Sequence, residues 1–177
     1  MSTWAALLRG INVGKAKRIA MADLRAVVEE AGYTEVRTLL NSGNVVFAGP
    51  KGEAARVASR LEAAIEARVG FHSRVVVVDG AVMDTVVREQ TLTQADNPSR
   101  LLVAFVQDPD RLKPLIELTT RDWGDEALVV GTRAAYIWMP VGVLDSRLLE
   151  TVGKVLGTHV TTRNWATVQK LHAMMRA

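Results

Sequence analysis

The stretch EVRTLLNSGNVVFAG, residues 35–49, decides the fold. Two runs rich in β-branched and apolar residues, EVRTLLN and VVFAG, stand on either side of Ser42-Gly43. Val, Phe and Thr suit a pleated, half-buried surface, whereas Asn, Ser and Gly suit the backbone of a tight turn. The stretch therefore predicts a β-hairpin. Upstream, MADLRAVVEEAGY (21–33) sets Leu24, Val27, Val28 and Ala31 at helical spacing, and Gly32 is placed to end that helix in a left-handed conformation. Before it, TWAALLR (3–9) is an apolar run of strand length. Downstream, GEAARVASRLEAAIEARVG (52–70) is a second helix, with Val57, Leu61, Ala64, Ile65 and Arg68 tracing a face and Gly70 beyond it. SRVVVVD (73–79) is a strand by its β-branched content. The order over residues 1–79 is β-α-β-β-α-β, the ferredoxin-like split βαβ.

The order then starts again. AVMDTVVREQ (81–90) predicts a linking helix, and TLTQADNPSR (91–100) a loop with a turn at Asn97-Pro98. LLVAFVQ is a strand, and PDRLKPLIEL a helix that Pro109 opens and Pro114 shortens or bends. EALVVG and RAAYIWMP are strands around Gly131-Thr132, and SRLLETVGKVLG is a helix capped by Asp145 or Ser146 and closed by Gly157. HVTTR is a brief strand and NWATVQKLHAMM a terminal helix. No residue-level repeat accompanies this repeated order. The expected fold class is α/β in the mixed α+β sense: two small ferredoxin-like βαββαβ subdomains packed together, with a C-terminal helix. The expected boundaries are 1–79 for the first subdomain, 80–99 for the linking helix and loop, and 100–177 for the second.

Bulk properties narrow the function. Hydrophobic residues make up 49% of the 177 and afford a packed core. No apolar run is long enough to span a bilayer, and MSTWAALLRG does not read as a signal peptide, because its basic residue follows a short apolar run. Cysteine is absent, which excludes disulfides, thiolate catalysis and Cys-based metal sites. The expectation is a soluble cytoplasmic protein. Residues 1–18 carry Arg9, Lys15, Lys17 and Arg18 with no acid, and residues 147–177 carry five cations against Glu150. Each end is thus +4, leaving −5 between them within the total of +3. Such an excess is either a positive face or ordinary surface charge.

The candidate sites follow from that charge. LLRGINVGKAKR (7–18) brings Arg9, Gly10, Asn12, Gly14, Lys15, Lys17 and Arg18 to the end of the first strand. Glycines let backbone amides approach a ligand, and amides with Lys or Arg cradle phosphate or carboxylate. The alternative is a solvated strand–helix connection. Gly10 and Gly14 enclose three residues and Lys15 precedes Ala16, so neither the P-loop nor the G-x-G-x-x-G pattern is met. In a split βαβ the first and second strands run the same way. The turn containing Asn41, Ser42 and Asn44 should therefore share a rim with residues 9–18. It is either a plain tight turn or a source of amide groups for a ligand. In TTRNW (161–165), Thr162 or Asn164 could cap the last helix, with Arg163 beside its positive end and Trp165 either stacking on a ligand or packing in the core.

Catalytic patterns are thin. His72, His159 and His172 lack metal-ligand spacing, and no G-x-S-x-G or nucleophile–base pair stands out, so activity and catalytic residues stay open. No metal or cofactor is expected. Tyr136 and Trp138 share a strand parity and could form a platform for bases, or pack inside, the favoured reading. Three functions remain in play: binding of a small anionic ligand such as a nucleotide or phosphorylated metabolite, nonspecific nucleic-acid binding through the basic ends, and an oligomeric interaction module without ligand. No membrane partner is expected.

LLRGINVG (7–14) followed by MADLR (21–25), NSGNVVF (41–47) and TTRNWATVQKL (161–171), in this order and spacing, resemble the DUF1697 family of bacterial proteins. The resemblance spans essentially the whole chain. It implies a compact two-part α/β fold and supplies no activity, the family being one of unknown function. The chain departs from the pattern at Lys15, where a second glycine is expected, and at Asp145, where a basic residue is expected before Ser146.

Overall fold

A computed structural model describes all 177 residues of the chain. Strand β1 (Ser2–Leu8), helix α1 (Met21–Glu30), strands β2 (Thr34–Leu39) and β3 (Asn44–Gly49), helix α2 (Ala54–Val69), strand β4 (Val75–Asp79) and helix α3 (Gly80–Arg88) follow one another. Strand β5 (Leu101–Val106), a 3-10 helical segment (Pro109–Thr120), strands β6 (Ala127–Val130) and β7 (Ala134–Trp138), helix α4 (Arg147–Leu156), a short 3-10 turn (Gly157–His159), strand β8 (Val160–Asn164) and helix α5 (Trp165–Arg176) complete the chain. The protein is a mixed α+β structure with two four-stranded antiparallel sheets, ordered β2-β3-β1-β4 and β6-β7-β5-β8. The orders correspond strand for strand. In each, the two strands that flank the first crossover are held apart by the third. The chain divides into two compact units, residues 1–81 with 171–177, and residues 82–170, so the boundaries fall within α3 and α5.

In the first unit, Ser2–Leu7 pair with Gly49–Asn44 and Trp4–Leu8 with Asp79–Val75. Alternation sends Trp4, Ala6 and Leu8, Val45 and Phe47, and Val75 and Val77 to one face. There they meet Leu24, Val27 and Val28 of α1 and Val57, Leu61 and Ile65 of α2. Ala5, Leu7, Val46, Val76 and Val78 on the opposite face are buried too. Burial on both faces accounts for the unbroken apolar runs of VVVVD and of LLVAFV in β5. Each Leu or Ile hidden this way contributes about 1.5–3 kcal/mol of transfer free energy.

Local signals explain most element ends. Gly32 has φ +94° and its N–H reaches Glu29 O, while Gly70 has φ +78° and closes α2 on Glu66 O. Ser146 Oγ, not Asp145, caps α4 by accepting from Leu149 N at 2.9 Å. Asn164, not Thr162, caps α5, its Oδ1 accepting from Thr167 N at 2.9 Å. The hairpin turn takes residues 40–43, so Asn41 lies in the turn and not in the strand; Leu40 at φ +59° and Gly43 at φ +86° make the reversal.

The segment expected as a short or bent helix after β5 is 3-10 from Pro109 to Thr120. Pro114 supplies no N–H and its ring opposes an α-helical carbonyl, which favours the tighter winding. Asp108 still caps it, accepting from Asp110 N at 3.0 Å. Leu112, Leu115 and Leu118 recur at threes and all face the second core, the period of that helix.

Candidate functional site

Residues 9–20 link β1 to α1, and a single side chain organises them. Asn12 has φ +55°, a backbone that Asn adopts more readily than most residues. Its N–H donates to Lys17 O at 3.0 Å. Its Nδ2 donates to Ile19 O at 2.9 Å and to Asn41 O at 2.8 Å, and its Oδ1 accepts from Ile19 N at 2.9 Å. Its carbonyl takes Arg18 Nη1 at 3.3 Å, and the same nitrogen reaches Gly14 O at 3.1 Å. The segment is closed into a ring around Asn12 and tied to the hairpin turn. Asn12 therefore directs its carboxamide into the protein.

The turn is equally determined. Leu8 N donates to Gly43 O at 2.9 Å, so the end of β1 and the turn do meet at one rim. Asn44 is fully buried, and its Nδ2 donates to Leu39 O at 2.8 Å and Ser42 Oγ at 2.9 Å. A Cβ at Gly43 would lie 2.7 Å from Ile11 Cδ1 and 2.8 Å from Leu8 Cβ, so only glycine fits. Ile11 is itself a buried core residue, which anchors the ring from beneath.

Exposed at the rim are Lys15, Lys17 and Arg18, with Gly10, Gly14, Asn41 and Ser42 and the apolar Val13 and Leu40. A pocket of about 340 Å³, lined by Asn12, Arg18, Ile19, Ala20 and Asn41, opens there. It lies at the start of α1, where Ala20 occupies the cap position and no side chain caps the first turn. Uncapped first-turn amides carry partial positive charge. The one acid of that turn, Asp23, is paired with Arg68 at 3.3 Å.

Arg163, Asn164 and Trp165 belong to the second unit. Arg163 is buried, and its Nη1 donates to Thr161 Oγ1 and Thr162 O, both at 2.8 Å. Burial pushes its guanidinium down to about 10, which leaves it protonated at neutral pH. Trp165 is half-buried, with its backbone N–H donating to Pro98 O at 3.1 Å. Tyr136 and Trp138 are buried, 0% and 6% exposed.

Two features escape sequence reading. Arg74 stands beside Arg9, its carbonyl accepting Arg9 N–H at 2.8 Å, and the register of β1 on β4 is the signal that could have found it. In the second unit, a pocket of about 330 Å³ is lined by Asp96, Asn97, Pro98, Arg100, Trp138 and Pro140, with the Arg100 guanidinium held by Pro140 O. No helix is long and apolar enough to cross a membrane. No group of three or more His, Cys, Asp or Glu side chains is placed to hold a metal.

With this geometry in hand, comparison with known proteins places the chain. A family model described as "Protein of unknown function (DUF1697)" matches residues 1–136, and the chain belongs to that family. Among solved structures it is similar to the conserved bacterial protein SP0830 from Streptococcus pneumoniae. The two share 21% identity, with 98% of each chain covered and a TM-score of 0.77. That likeness concerns the fold. No curated protein matches the chain.

Proposed function

We propose that the protein binds a small anionic ligand, a nucleotide or a phosphorylated metabolite, on the loop of residues 9–20. One comparison within the molecule supports this reading above all. Two units repeat one strand order, yet the connection after the first strand occupies residues 9–20 in one and only residues 107–108 in the other. The shorter link shows that the topology closes without the longer one. A connection well beyond the usual 2–6 residues, held in one shape by Asn12, points to a role other than joining elements.

The chemistry of the loop names the ligand class. Lys15 and Lys17 bring charge at the tip, Arg18 is steadied by two loop carbonyls, and the uncapped α1 end lines the same pocket. In this reading Lys15, Lys17 and Arg18 neutralise the anion, and Asn41 and Ser42 border it. Gly10 and Gly14, both at φ +66°, let the backbone approach. Asn12 and Asn44 shape the site from within. Base stacking on Tyr136 or Trp138 is disfavoured, because both side chains are buried.

A thermal-shift screen against nucleotides, phosphorylated metabolites and carboxylates tests the proposal. A ligand at ~100 times its dissociation constant stabilises by about 2.7 kcal/mol. A hit that disappears in the Lys15→Ala/Lys17→Ala variant is expected. Stabilisation by none of these anions, or a hit unaffected by that variant, would remove the assignment.

A further inference from the structure

Arg74 immediately precedes β4 and lies outside the loop just described. The Arg9 N–H to Arg74 O bond extends the β1–β4 ladder one step past the Leu8–Val75 pair, and so sets Arg9 opposite Arg74. Leu8 and Val75 point into the helix-covered core. Strand alternation carries the next pair, both arginines, to the other face. Side chains directly opposite on an antiparallel pair have Cβ atoms about 5 Å apart, and like charges so placed repel.

Both arginines are half-buried, and Arg74 Nε is enclosed without a hydrogen-bond partner. Two polar groups near this strand end bond to backbone. Ser73 Oγ donates to Arg9 O at 2.9 Å, and Glu62 Oε1 accepts Val75 N–H at 2.8 Å. A buried guanidinium N–H left unmatched calls for an acceptor, and the planar fork of arginine fits two oxygens of a phosphoryl group.

We propose that Arg9 and Arg74 form an oxyanion fork that takes a phosphoryl group at the end of β1 and β4. Arg9 begins the loop of the anion-binding reading above, but the proposal is carried by Arg74, which that reading does not use. An anion between the two guanidiniums satisfies Arg74 Nε and offsets the repulsion across the ladder.

The test is titration of the full chain with inorganic phosphate, and with acetate at matched ionic strength, followed by calorimetry and thermal denaturation. Wild type, Arg74→Met, Arg74→Lys and Lys15→Ala/Lys17→Ala are compared. Arg74→Met keeps an apolar stem and removes the fork. It should be at least as stable as wild type without phosphate, because the repulsion is gone, and should lose about tenfold or more in phosphate affinity. Arg74→Lys keeps the charge without the fork and should fall between. Wild type should prefer phosphate to acetate. Arg74→Met that binds phosphate like wild type overturns the fork, whether or not the variant is less stable; if the lysine variant has then lost binding, the loop reading stands alone. Loss in Arg74→Met with no change in the lysine variant keeps the fork and removes the loop. No phosphate binding by wild type, or equal binding of acetate, overturns the phosphoryl assignment.

Discussion

Gly43 shows how much one residue can hold. Its φ of +86° disfavours any side chain, and the space where a Cβ would sit is taken by Ile11 and Leu8. Gly43→Ala should therefore destabilise the protein by roughly 2–4 kcal/mol, read from urea unfolding, since backbone strain and a clash in the core act together. A loss under about 0.5 kcal/mol, the size of an ordinary surface change, would mean that the turn relaxes easily. The sequence announced a turn at NSGN, because Asn, Ser and Gly favour one locally. It could not announce that Ile11, far away in the chain, packs beneath it. Asn12 is a parallel case. It was legible as a loop residue with an amide to offer, but the direction of that amide depends on Ile19 and Asn41. Asn12→Ala should cost about 1–3 kcal/mol and raise amide hydrogen exchange in residues 9–20, because Ile19 and Asn41 lose their shared hub. Unchanged exchange in that loop would contradict the assignment of Asn12 as its organiser.

At the scale of elements, local chemistry and tertiary context part company. Helix α2 and the β2–β3 hairpin were readable because period, turn residues and terminal glycine agree. The segment Pro109–Thr120 was readable as helical but not as 3-10, since Leu112, Leu115 and Leu118 satisfy the second core only once the tighter winding is adopted. Two caps were each narrowed by the sequence to a pair of residues, and hydrogen bonds select Ser146 and Asn164. Asn164→Ala should lower stability by about 1 kcal/mol through loss of the α5 cap. Strand β7 carries a pH prediction. Tyr136 is buried, and its hydroxyl donates to Val86 O at 2.5 Å. Burial, with Glu89 adding a smaller push, raises its pKa far above the ordinary value. Above pH 10 the unfolded chain releases this proton and the folded chain keeps it, so stability falls as pH rises. Tyr136→Phe should make unfolding less sensitive to pH above 10, while losing about 1 kcal/mol at neutral pH with the hydrogen bond. An equally steep alkaline loss in the variant would place the sensitivity elsewhere.

Across the whole molecule, the repeated element order was legible because each unit writes its own helices, strands and turns. That each of the two sheets is buried on both faces was not, since the runs VVVVD and LLVAFV report burial without saying what provides it. The contrast between the connections, residues 9–20 against 107–108, was implicit in the predicted elements, but its weight comes from the strand order the two units share. The central claim is that this long connection is a preformed anion-binding loop. The most direct test is a titration of isotopically labelled protein with inorganic phosphate, following every backbone amide by NMR. The account predicts saturable shifts concentrated in residues 9–20 and 41–43 and at the start of α1, abolished in Lys15→Ala/Lys17→Ala. Shifts that never saturate, or that gather elsewhere and leave this loop untouched, would contradict it.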